Sequence, residues 1–269
     1  MRRGSSTAET VGDRRRQSVV VAGSGQPLPG LSAIVPVHDE AGSLEMVAHE
    51  LLAVLPAVAA AWELIVVDDG SRDATAAIAD RLASSRAGVR VVRHATNRGY
   101  GAALASGLAA ARYPFVFWMD GDGQFRATEL RLLVAALGEA EAVIGYRARR
   151  ADRWIRRLNT ALWNSLVRLL FGVPARDVNC AFKLVRRDVL GQEALQARGA
   201  MISTEILVRL HRRGSRIVEV PVAHFPRQGG SASGAAPRVV ARALVELLRL
   251  APGLWRGRLS AARRSPSSR

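Results

Sequence analysis

The 269-residue chain has one cysteine, Cys180, and one lysine, Lys183. A single thiol excludes an intramolecular disulfide framework and suits a reducing compartment. No run of about 18 uncharged apolar residues occurs, so no transmembrane helix is expected. The arginines near the N-terminus are followed by no apolar segment, which argues against a secretory signal. There is no internal repeat. With so little lysine, the formal charge of +16 rests on arginine. Alanine is abundant too, a combination that fits GC-rich coding, so charge alone assigns no partner. Cys180 has no companion ligands for zinc, and His38, His94, His211 and His224 show no metal spacing. An EF-hand beginning at Asp120 fails as well, because Phe125 and Arg131 stand where Gly and Glu are required.

What is present is an apolar fraction of 49%, enough for a sizeable core. Strands are expected at Leu31–Val35, Glu63–Val67, Val89–Arg93, Phe115–Met119 and Ala142–Gly145. Helices are expected at Gly42–Ala60, Ala74–Ser84, Gly101–Ala111 and Thr128–Leu137. This alternation implies right-handed βαβ units and an α/β fold, a mostly parallel sheet flanked by helices. Ligands of such sheets sit beyond the carboxyl ends of the strands. Four polar turns fall there: Val37-His38-Asp39-Glu40, Asp68-Asp69-Gly70-Ser71, Asn97-Arg98-Gly99-Tyr100 and Asp120-Gly121-Asp122-Gly123-Gln124. Each alone could be a solvated turn or helix cap. Together they make a site.

The last turn is the most informative. Two carboxylates two positions apart, at the end of the apolar run Phe115–Met119, repel one another unless a cation or ordered donors neutralise them. A hard divalent ion that also holds phosphate oxygens meets that need. Beyond Gly145, two amphipathic helices are expected. One covers 153–171, with Trp154, Leu158, Leu162, Leu166 and Leu169 along one side and arginines around it. The other runs from about Pro237 to Leu250. Either could pack on the core or lie at a bilayer surface.

The ordered set VPVHDE, VVDDGSRDAT, NRGYGAAL and DGDGQF resembles the GT-A fold of family 2 nucleotide-sugar glycosyltransferases. Gly145-Tyr146-Arg147, Asp177–Lys183, Glu219-Val220-Pro221 and Arg227–Ser231 are similar to its dolichol-phosphate mannosyltransferase and polyprenyl-phosphate glycosyltransferase branch. The resemblance spans about residues 31–231. Composition and periodicity lead us to expect a disordered basic arm at 1–29, an amphipathic helix at 237–255 that could lie at a membrane surface and a basic disordered tail at 256–269, and the resemblance implies a GT-A domain at 30–236. Pro36, His38, Glu40, Asp68 and Asp69 would line the nucleoside pocket, with Asp120 and Arg147 near the donor phosphates. Asp120, Asp122 and Gln124 would hold Mg²⁺ or Mn²⁺. Arg156, Thr160, Arg227 and Ser231 would bind the acceptor phosphate. Asp122 and Arg147 would take direct part in catalysis, and Glu205 either orients a group in the site or caps its helix.

The expected activity is inverting transfer of a hexose from a nucleotide sugar of GDP-mannose or UDP-glucose type to a polyprenyl phosphate. The expected setting is peripheral, on the cytoplasmic face of an anionic cell membrane, with no nucleic-acid partner. Two departures keep alternatives open. His38-Asp39-Glu40 replaces the usual aromatic-Asn-Glu, and Ala232-Ser233-Gly234 lacks the lysine that often follows the serine matched to Ser231. A glycan or small-molecule acceptor, or a non-catalytic membrane- or polyanion-binding relative, are the other readings.

Overall fold

A computed structural model of the chain describes residues 26–150, 154–191, 193–227 and 237–261. Ser231, most of the proposed arm and residues 262–269 of the proposed tail lie outside the described residues. In chain order the elements are β1 (Leu31–Val37), α1 (Leu44–Val58), β2 (Trp62–Asp68), α2 (Thr75–Ser85), β3 (Val89–Arg93), α3 (Tyr100–Ala110), β4 (Phe115–Trp118), α4 (Leu130–Leu137), β5 (Ala142–Arg150), α5 (Trp154–Phe171), β6 (Lys183–Arg186), α6 (Arg187–Leu190), α7 (Met201–Arg212), β7 (Ile217–His224) and α8 (Pro237–Ala261). All seven strands form one sheet in the order β3-β2-β1-β4-β6-β5-β7.

The sheet is covered on both faces, and strand periodicity divides the core accordingly. Leu31, Ala33, Val35 and Val37 of β1 face one cluster, with Phe117 and Met119 beside them. Ile34, Val116 and Trp118 face the other. This two-sided burial is why the central strands read as apolar runs rather than as alternations. Phe117 meets Phe182 edge-on at 4.8 Å between ring centroids, tying β4 to the loop that enters β6.

Strands β1, β2, β3 and β4 run parallel, whereas β6 runs antiparallel to both β4 and β5. That reversal has a functional consequence. It brings the start of β6, with Lys183 opposite Trp118 and Ile144, to the edge where the other strands end. The chain winds from β1 outward to β3, then returns to place β4 on the other side of β1. The crevice between β1 and β4 is therefore the topological switch point, where ligands of open α/β sheets sit.

The five expected strands are all present, and the sheet is mostly parallel as expected. Two further strands, β6 and β7, complete it. Strand β5 extends to Arg150 rather than ending at Gly145, because β7 pairs with it as far as His224. Arg147 consequently sits on a strand, beside a register shift between Arg147 and Arg149. Leu28, assigned to the arm, is buried and bridges to Ala59, so the fold begins inside that segment. Helix α8 continues past residue 255 into the stretch expected to be tail.

The apolar side assigned to α5 also differs. Its core contacts are Trp163, Leu166, Val167, Leu170 and Phe171, whereas Leu158, Leu162 and Leu169 are exposed, Leu169 by 82%. The helix has two apolar faces, and a single-stripe reading selected the outer one.

Candidate active site

The first three turns are tied together by side chains accepting backbone N–H groups. Asp39 adopts a left-handed backbone at φ 55°, a conformation that Asp tolerates better than most residues. Its N–H donates to Ser71 Oγ at 3.1 Å, and its Oδ1 accepts Arg72 N–H at 2.7 Å. Glu40 N–H donates to Thr75 Oγ1 at 2.8 Å, and Ala41 N–H to Asp73 Oδ2 at 3.1 Å. The turn after β1 is thus fastened to the turn after β2 at four points.

Asp69 fastens the third turn. Its Oδ1 accepts Arg98 N–H at 2.9 Å and lies 2.6 Å from His94 Nδ1, while its Oδ2 accepts Gly99 N–H at 2.8 Å. His94 continues through Nε2 to Ser106 Oγ at 2.9 Å. Asp68 accepts Ser71 N–H at 3.0 Å and pairs with Arg93 Nε at 3.3 Å. Gly70, at φ 72°, lets the third turn lie directly against the second. A Cβ there would stand 2.5 Å from the Thr96 carbonyl carbon.

These turns enclose a cleft of ≈ 560 Å³ lined by His38, Asp39, Gly70, Ser71, Arg72, Ala95, Thr96 and Asn97. His38 is the one residue of the expected nucleoside set that lines it. Pro36 is buried within β1, opposite Val67. Asp68 and Asp69 shape the cleft from behind. Asp39 and Asn97 line it from turns expected to make the site, whereas Ser106, which supports His94, carried no sequence signal.

The fourth turn is different in kind. Ser43 Oγ donates to Gly121 C=O at 2.7 Å, and Asp122 Oδ1 accepts Gln124 N–H at 3.0 Å. Gln124 Nε2 donates to Phe225 C=O at 3.0 Å, which ties this turn to the end of β7. Asp120 Oδ1 is buried with no hydrogen-bond partner. Burial first, and the Asp122 charge second, raise the Asp120 carboxyl to about 7, against the opposing pull of Tyr100, Arg147 and Lys183. The Tyr100 hydroxyl beside it likewise has no partner with hydrogen-bond geometry.

Around this pair the chain gathers positive charge. Arg147 forks onto Asp177, Nε to Oδ2 at 2.8 Å and Nη2 to Oδ1 at 3.0 Å, a bidentate pair that fixes its guanidinium. Lys183 is fully buried and donates from Nζ to the Val178 and Cys180 carbonyls, and burial lowers its pKa. Arg227 pairs with Glu40 and lies 3.6 Å from Asp122 Oδ2. Burial pushes the Cys180 thiol up to about 12, which leaves it inert as a nucleophile or ligand.

Glu205 does not cap its helix. Its carboxylate accepts Gln196 and Ala197 N–H groups and pairs with Arg209 at 2.6 Å. These donors precede α7, so the residue anchors the incoming loop rather than capping its own helix or reaching the carboxylate pair. That loop in turn accepts Gly101 N–H at Arg198 C=O, 2.8 Å, and so braces the start of α3. Of the acceptor set, Thr160 is half-buried on α5, and the backbone places Arg156 one turn earlier. One turn after Thr160, Asn164 holds the Asp177 loop, donating to Arg176 C=O at 2.6 Å and accepting Val178 N–H at 3.2 Å. Asn164 carried no sequence signal.

Among the described residues no group of three His, Cys, Asp or Glu side chains is arranged to hold a metal. The carboxylate pair nonetheless suits a hard cation completed by ligand oxygens, because a buried carboxylate oxygen without a donor is what such an ion would satisfy.

The fold is that of a GT-A glycosyltransferase. The model of the family described as Glycosyl transferase family 2 matches residues 32–192, and the chain belongs to that family. It is 32% identical over 203 residues to the undecaprenyl-phosphate 4-deoxy-4-formamido-L-arabinose transferase of Edwardsiella ictaluri, covering 74% of this chain but 61% of that protein. The chain therefore spans less than two thirds of that relative. It is 33% identical over 204 residues to an uncharacterized glycosyltransferase of Mycobacterium tuberculosis, covering 74% of this chain and 87% of the relative. Glucosyl-3-phosphoglycerate synthase from M. tuberculosis, solved with Mn²⁺, UDP and glucosyl-3-phosphoglycerate, superposes with a TM-score of 0.60 at 22% identity, over 88% of this chain and 81% of that one. A second solved structure, described as a mycobacterial protein, gives 0.68 at 22% identity over 90% and 80%.

Proposed function

We propose that the chain is an inverting, metal-dependent hexosyltransferase that moves a sugar from a nucleotide sugar of GDP-mannose or UDP-glucose type to a polyprenyl phosphate. One observation carries this reading: two carboxylates meet at the switch point of the sheet, and one of them keeps a buried oxygen unpartnered. Asp120, Asp122 and Gln124 are the residues that would hold Mg²⁺ or Mn²⁺, and the ion would neutralise charge on the departing nucleoside diphosphate.

The chain's own residues do the rest. The cleft at His38, Thr96 and Asn97 holds the nucleoside, with Asp68 and Asp69 stiffening its walls. Arg147, fixed by Asp177, sets a positive charge beside Asp120, where a diphosphate gains charge as it leaves. A phosphomonoester acceptor has a second pKa of about 6, so it is largely ionised at neutral pH and needs no general base. Its charge must instead be balanced, which suits paired arginines, and the family resemblance gives Arg156, Thr160, Arg227 and Ser231 that role. Direct displacement of the diphosphate by that phosphate inverts the anomeric carbon. Glu205 is a positioning residue in this scheme.

The names of the relatives support a polyprenyl phosphate acceptor. No helix among the described residues is long and apolar enough to cross a membrane. The exposed apolar residues of α5 and α8 support our placing the chain peripherally, at the inner face of the cell membrane. Exposed Leu158, Leu162 and Leu169 on α5, and Leu244, Val245 and Leu248 on α8, would enter the interface, with exposed Arg168 and Arg249 beside anionic lipid.

The test is sugar transfer from labelled GDP- and UDP-sugars to a polyprenyl phosphate, with Mg²⁺ or Mn²⁺ against EDTA. Metal-dependent label in the lipid phase, lost in Asp122→Ala, is expected. Donor hydrolysis without lipid labelling would move the acceptor to a soluble phosphorylated molecule or glycan. No donor turnover under any condition would leave the non-catalytic reading.

A further inference from the structure

Three side chains from three distant strand ends meet at the rim of the site. Glu40 follows β1, Asp122 follows β4 and Arg227 follows β7. Arg227 Nη2 donates to Glu40 Oε1, and its Nη1 lies 3.6 Å from Asp122 Oδ2. The side chains of Glu40 and Asp122 are 9% and 10% exposed, and that of Arg227 is 24% exposed, so the bridge sits where solvent screening is weak. Ser43 Oγ, whose proton goes to Gly121 C=O, lies 3.2 Å from Glu40 Oε2, so the Glu40 carboxyl sits against the fourth turn.

The bridge and a bound metal make competing demands. A guanidinium and a divalent ion that share the Asp122 carboxylate repel each other, steeply so in a partly desolvated site. Each supplies the neutralisation that the other would supply. We propose that Arg227 is an internal counter-cation of the carboxylate site, held by Glu40 and Asp122 until a divalent metal displaces it from Asp122. Metal entry and Arg227 release are then one linked equilibrium, and removing the arginine strengthens metal binding. The arginine assigned above to the acceptor phosphate becomes available once the metal is seated, so the donor side is completed before the acceptor side. This rests on the metal role proposed for Asp120 and Asp122.

The experiment is Mn²⁺ binding to the full chain without nucleotide, followed by the loss of the free-ion electron paramagnetic resonance signal. Arg227→Gln is expected to bind Mn²⁺ roughly fivefold or more tightly than wild type. Arg227→Lys, which keeps the charge without the fork, should fall between them and covers the case in which the glutamine variant does not fold. Arg81→Gln removes one charge from an exposed pair with Glu45 and controls for the general field of a basic protein; it should stay within about twofold of wild type. Equal or weaker Mn²⁺ binding by Arg227→Gln, while wild type binds, overturns the exchange and leaves the metal role standing. Mn²⁺ bound by no variant, with UDP absent or present, removes both.

Discussion

Two of the acidic pairs at strand ends, Asp68 with Asp69 and Asp120 with Asp122, are built in different ways. Asp68 and Asp69 end β2 with their oxygens occupied: Ser71 N–H and Arg93 on one, and Arg98 N–H, Gly99 N–H and His94 on the other. Asp120 and Asp122 follow β4 with Asp120 Oδ1 buried and unpartnered, and with burial first and the Asp122 charge second raising Asp120. The first pair holds turns together. The second holds two carboxyls close together, Asp122 with Gln124 N–H and Arg227 beside it and Asp120 with a buried oxygen left over. In sequence both look like acidic turns, and only the donors that reach each oxygen tell them apart.

The largest effect that sharpens this contrast is on turnover. Asp122→Ala should lower transfer by about 100-fold or more, while its thermal midpoint holds or rises. Asp69→Ala should do the reverse in kind. It removes the buried partner of His94, the acceptor of Arg98 N–H and one of two acceptors of Gly99 N–H, and should cost about 2 kcal/mol in urea unfolding. A midpoint unchanged in Asp69→Ala would break the comparison.

A smaller effect is on pH. Because the folded state raises Asp120 toward 7, the protonated form is the one that folding favours. Its contribution to stability is present below the ordinary aspartate value of 3.8 and is lost as pH rises toward 7. Asp120→Asn should flatten that decline in denaturation midpoints measured from pH 4 to 8. In wild type, Mn²⁺ affinity should weaken as pH falls through about 7, the value set by Asp120. The smallest effect is expected outside both pairs. Leu169→Gln should change stability by less than about 0.5 kcal/mol, yet reduce co-sedimentation with anionic vesicles. Unchanged sedimentation would count against docking through α5.

The four turns were legible because glycine and aspartate at strand ends carry local chemistry. Their fastenings were not, since the partners are far apart in the chain. Asp69 and Gly99 are 30 residues apart, Gln124 and Phe225 are 101, and Glu40 and Arg227 are 187. Strand β6 escaped notice because it has four residues and no periodicity to read. The α5 helix misled because both its outer and inner faces are apolar, and a single stripe cannot say which one meets the core.

By itself, the sequence determined the α/β class, the parallel winding through β4, the family and the carboxylate pair, since each is written in residues close together. The tertiary structure decided which aspartates are satisfied, that Glu205 supports a loop, and that Arg227 reaches Glu40 and Asp122. The physical reason is that a carboxylate's role depends on the donors that reach it. Those donors are delivered by strand order, the reversed β6 and the return of β7, none of which a local pattern contains.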